Sequence, residues 1–146
     1  MTVMIASALA APTGAIDHHR LLPALDAAAR ASADAHDVTR ALTDTVLACQ
    51  HLPAEVYQYA PHLSQATEAL TAASRTLTTV TGYATANPMP DNVHALHRAT
   101  AELAAATAAL RYQTAALATA AAWHNTPAAL SPSQRATSTF RRSSLV

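Results

Sequence analysis

The chain has 146 residues, 51% hydrophobic and only 12% charged, with nine arginines, no lysine and nine acids, so its formal net charge is zero. That balance offers no field to draw nucleic acid or an anionic membrane. No apolar run reaches the roughly 18–20 residues of a membrane span, and the lone Cys49 excludes an internal disulfide and points to a reducing, cytoplasmic setting.

Alanine fills 39 positions and threonine 19, against two glycines, a composition that favours helices over turn-rich sheets. Proline sets the boundaries. Residues 1–16, with Pro12 and Gly14, read as a flexible N-terminal leader; the apolar start resembles a short export signal but has no basic region, Arg20 being the first cation. A helical domain over 17–125 follows. Its first helix is expected over about 21–50, opening at Leu21–Pro23, where proline is tolerated in a first turn. After Pro53 comes a short segment, 54–59, and Pro61 opens a second helix over 61–86. Asn87-Pro88-Met89-Pro90 breaks the chain again, with Asp91 as N-cap of a third helix over 91–124. Residues 126–146, rich in proline, serine and threonine, read as a disordered tail.

An internal repeat runs through these helices. Leu96, Leu103, Leu110 and Leu117 recur every seven residues, interleaved with Val93, Thr100, Thr107, Thr114 and Ala121. The second helix repeats the scheme 33 positions earlier, with Leu63, Leu70 and Leu77 alternating with Thr67, Ser74 and Thr81. The first follows more loosely through Ala31, Ser32, Ala35, Val38, Thr39, Leu42, Val46 and Cys49. A seven-residue period in every helix predicts an all-α, up-down-up antiparallel three-helix bundle with coiled-coil-like packing, whose core is the seven leucines above. A DNA-binding zipper would need a basic helix leading into Leu96, and Pro88-Met89-Pro90-Asp91 stands there instead.

Chemistry-bearing patterns are sparse. The bundle topology would gather His18, His19, His94 and His97 with Asp17 and Asp91 at one end, and Cys49, His51, His62 and His124 at the other. These are zinc-compatible ligand types without a zinc-site spacing, so no metal or cofactor is assigned and the four end histidines stand only as candidates. None of Glu55, Glu68 and Glu102 has a histidine three residues on, which excludes a di-iron carboxylate pattern. Cys49 follows Val46-Leu47-Ala48 at a core position, where thiols are inert. Two isolated glycines make no phosphate loop. The expectation is therefore a protein that is not an enzyme.

Charge scarcity is the remaining signal. Between Ala99 and Trp123 only Glu102 and Arg111 are charged, and Ala101, Ala108, Ala115 and Ala122 coat the flank of the third helix. That flank is either a docking surface, with Trp123 as its anchor, or the mark of a GC-rich coding sequence. The leading expectation is an interaction module that self-associates or docks another helical protein. A small-ligand or metal-binding bundle using its histidine-rich ends is the alternative. Composition and heptads also resemble the phasins that coat polyester storage granules, and that resemblance implies a third reading, an amphipathic coat protein. The helical-hairpin substrates of type VII secretion are not matched, since Trp123 is followed by His124-Asn125 and no tyrosine has an acid four residues on.

Overall fold

The computed structural model describes the backbone of residues 2–125 and the side chains of residues 18–125. Helix α1 spans Thr2–Ala48, a 3₁₀ helix spans Ala54–Tyr59, α2 spans Leu63–Ala86 and α3 spans Pro90–Asn125. The described residues include no strand. The disordered tail expected over 126–146 lies outside them.

Three expected boundaries are corrected. The first helix does not open at Leu21–Pro23: α1 is helical from Thr2 and passes through Pro12 and Pro23. An internal proline removes one N–H and crowds the carbonyl four residues back. Here Pro23 and His19, which carries that carbonyl, are both exposed, so water can satisfy the oxygen. The second helix opens at Leu63 rather than Pro61, because Pro61 sits in a tight turn in which the Leu63 N–H donates to the Ala60 carbonyl (3.2 Å). The third opens at Pro90, where a missing N–H is no loss, and this moves Asp91 from the N-cap into the first turn. Its carboxylate still lies near the positive end of the helix dipole. The Asn92 side-chain amide fastens the connection by donating to the Asn87 carbonyl (2.7 Å).

Helix α3 is the organising element, packing against both α1 and α2, which scarcely touch each other. Leu96, Leu110 and Leu117 are wholly buried and Leu103 is 1% exposed. Two further columns of α3 are also buried: Val93, Thr107, Thr114 and Ala121 in one, Ala99, Gln113 and Ala120 in the other. Three positions in seven form the wide stripe needed by a helix with neighbours on two sides. On α2, Leu70 and Leu77 are buried and Leu63 partly so, but the companion column is Ala66, Ala73 and half-buried Val80. Thr67, Ser74 and Thr81, expected in that seam, are only half-buried, since α2 has one main neighbour and needs a narrower stripe.

On α1 the buried columns are Leu21, Ala28 and Ala35, continued by Cys49 just past the helix end, and Ala24, Ala31 and Val38, with Leu42 and Thr45 partly buried. Val46, expected in the seam, is 36% exposed, because seven residues beyond Val38 comes Thr45. The threonines reconcile a polar side chain with these seams. The hydroxyls of Thr67, Thr100 and Thr107 each donate to the carbonyl four residues back at 2.8 Å. That bond satisfies the hydroxyl within its own helix.

The core has two parts. The larger joins Leu21–Val38, Ala66–Ala84 and Val93–Leu110; the smaller joins Cys49, Val56 and Ala60 to Leu117, Ala120 and Ala121, and half-buried Leu63 packs against both. Residues 27–34 of α1 share a groove with 100–111 of α3, and 44–48 share one with 118–125. The backbone N–H of His62, at the mouth of α2, donates to buried Gln113 Oε1 of α3 (3.2 Å).

Candidate functional site

The leucine seam of α3 faces inward, and a second regular column faces outward. Ala101, Ala105, Ala108, Tyr112, Ala115, Thr119 and Ala122 are spaced alternately four and three residues apart; all are exposed and none is charged. At 1.5 Å per residue the column is about 31 Å long. Four of its seven positions are the flank alanines marked in the sequence; Ala105, Tyr112 and Thr119 complete it. The same 4–3 spacing that builds the inner seam therefore occurs twice on one helix, once buried and once open.

At the C-terminal end this strip widens into an open groove of about 570 Å³. Ala115, Ala116 and Ala120 line it together with Tyr59, Tyr112 and Trp123. Tyr112 is 74% exposed, Tyr59 56% and Trp123 43%, so much aromatic surface is left open here. Local structure places these rings. Val56, completely buried, anchors the 3₁₀ helix on the smaller core, and Tyr59 at the end of that helix lies against the last turns of α3. The His62–Gln113 hydrogen bond ties the turn that follows to α3. Arg111, one residue from Tyr112, lines the separate groove between α1 and α3, so no formal charge borders the aromatic groove; His124 closes its end.

His18, His19, His94 and His97 are all exposed, as are Asp91, His51, His62 and His124. Among the described residues no group of three or more His, Cys, Asp or Glu side chains comes together as a metal site would require. The Asp17 side chain lies outside the described residues. Cys49 is buried against Val56 and Leu117, and that burial pushes its thiol above the ordinary range. It is therefore protonated at neutral pH and a poor nucleophile.

Tyr59 and Tyr112 are the functional candidates that sequence reasoning missed. Tyr112 had a signal, since it falls on the outward 4–3 column; Tyr59 had none, because only the fold brings it to α3. No helix is long and apolar enough to cross a membrane among the described residues. Comparison of the chain with protein-family models, with curated proteins and with solved structures finds no match.

Proposed function

We propose that the chain is an up-down-up antiparallel three-helix bundle with coiled-coil-like heptad packing, and that it is a non-enzymatic interaction module. The outer face of α3 is its working surface, pairing with a second copy or with a helix of another protein. The observation that carries this reading is the exposed, uncharged 4–3 column from Ala101 to Ala122. Seven-residue spacing lets two helices stay in contact along their length by winding gently about each other, and small residues allow close backbone approach. A two-fold interface must be complementary to itself, and a face without charges meets that condition. A single strip of this kind lies at the small end of stable interfaces, so reversible, concentration-dependent pairing is expected rather than a permanent dimer. A reducing cytoplasm is part of this reading, supported by the single cysteine of the sequence.

Molar mass measured across a concentration series tests the reading. It should rise from 15.2 kDa toward twice that value, with little dependence on salt because the face carries no charge. A mass fixed at one chain throughout removes self-association and leaves a heterologous helix as the remaining partner. Of the other readings, a metal-binding bundle would require about one equivalent of zinc or iron after purification. A coat protein would require co-sedimentation with lipid or polymer particles.

A further inference from the structure

The two seams of α3 are built differently. Thr100 and Thr107 line a groove with Ala27 and Ala31 of α1, and Ala121 lines another with Thr45 and Ala48. The buried column from Val93 through Thr107 and Thr114 to Ala121 therefore faces α1. Gln113 and Ala120 face the other way, toward His62 and Tyr59. We propose that α1 is a releasable helix, which swings away as a unit about the connection 49–53 while the hairpin of α2 and α3 stays folded.

Three observations single out the α1 seam. The first is packing. Between Leu25 and Val38 the inward positions of α1 are Ala28, Ala31 and Ala35, a stretch of about 20 Å held by methyl groups that bury little area. On α2, by contrast, Leu63, Leu70 and Leu77 enter the seam at every second turn. The second is polar bonding. The side-chain hydrogen bonds of α1 run within it, from Arg30 to Asp26 and from Thr39, Thr43 and Thr45 to carbonyls four residues back. At the mouth of α2, the His62 N–H is bonded across to Gln113 Oε1 (3.2 Å). The third is the Thr114 hydroxyl, buried on the α1-facing column without a partner. The closed seam leaves it unmet, and release lets water satisfy it. Because α1 and α2 scarcely touch, only this one seam has to part. Gln50, His51 and Pro53 of the connection are exposed and free to turn.

Once released, α1 uncovers Val93, Thr107 and Thr114 along α3, beside the inner leucine column. The outward column from Ala101 to Ala122 is on the opposite side and is unchanged. Release therefore does not depend on the self-association proposed above.

Native-state hydrogen exchange, resolved by peptide, is measured on dilute full-length protein beside Thr114→Val and Gly82→Ala. In the wild type the amides of residues 21–48 should exchange together, about tenfold or more faster than those of 66–84 and 96–117. Gly82 lies in α2, which stays helical when α1 is released. Gly82→Ala should therefore slow α2 and α3 about two- to fivefold and leave α1 unchanged. Thr114→Val removes the hydroxyl that release satisfies, so it should slow α1 about tenfold. One common rate for the three helices overturns the proposal, as does Gly82→Ala slowing α1 in step with the others. So does a Thr114→Val variant whose α1 exchanges as fast as in the wild type.

Discussion

Thr107 and Thr114 occupy the same column of α3, one heptad apart, and both are buried, at 3% and 5% exposure. Their hydroxyls differ. That of Thr107 donates to the Leu103 carbonyl at 2.8 Å, whereas Thr114 Oγ1 is buried without a hydrogen-bond partner. Replacing each by valine exchanges a hydroxyl for a methyl of similar size. At Thr107 the lost bond, about 0.5–1.5 kcal/mol, offsets the gain from one more buried carbon, about 0.8 kcal/mol, so Thr107→Val should be near neutral. At Thr114 no bond is lost and an unmet desolvation penalty of about 1–3 kcal/mol is relieved. Thr114→Val should therefore stabilise by about 1–2 kcal/mol, allowing for imperfect packing of the new methyl. Urea unfolding followed by circular dichroism reads both, with a common slope required for the comparison. Equal effects at the two sites, or a loss of stability at Thr114, would refute the reasoning and mean that the Thr114 hydroxyl is bonded.

Leu103→Asp or Leu110→Asp places an unpaired charge where the wild-type side chain is 1% or 0% exposed; each should cost about 3–5 kcal/mol or more and abolish the cooperative transition seen by calorimetry. Gly82 is helical and a Cβ built on it meets nothing within 4 Å, so Gly82→Ala should stabilise by about 0.5–1 kcal/mol in the same urea assay. Cys49 should react slowly with a thiol reagent at neutral pH and fast in denaturant. Because burial raises its folded pKa above the unfolded one, the folded state holds the proton longer. Its contribution to stability is full below the unfolded pKa and is lost as pH rises from there through the raised folded value. Cys49→Ala should remove that alkaline decline. Ending the chain after Asn125 should move the thermal midpoint by no more than a few degrees, equivalent to under about 1 kcal/mol, because the core of the described residues is kept whole.

How far the fold could be read depended on which residues carried the signal. Pro53 and Pro88–Pro90 marked helix ends because a missing N–H breaks the backbone ladder wherever it faces inward. Pro23 misled because it is exposed, and the helix continues past it. The leucine columns of α2 and α3 were legible because leucine loses much when left in water. The α1 seam was not, because alanine fills both its buried positions, such as Ala24, Ala28 and Ala31, and exposed neighbours such as Ala29 and Ala33. A methyl group has too little area to favour one face strongly. The repeat shared by α2 and α3 also concealed a difference: Thr107 and Thr114 are buried while their counterparts Ser74 and Thr81 are half-exposed. Burial there is decided by how many helices surround each copy, which a repeat cannot encode. Trp123 was visible as an anchor from its type and place; its grouping with Tyr59 needed the 3₁₀ helix to fold onto α3 through Val56.

Pairing of two copies through the outward face of α3 is read most directly from the molar mass. Light scattering coupled to size exclusion is run at the top of the same concentration series on the wild type and on Ala108→Glu with Ala115→Glu. Both alanines are exposed, so the substitution leaves the core intact, while a two-fold interface would bring four carboxylates together. The wild type should have a mass near twice 15.2 kDa and the variant one near 15.2 kDa, at equal helicity. A wild type that stays at one chain, or a variant that still pairs, contradicts it.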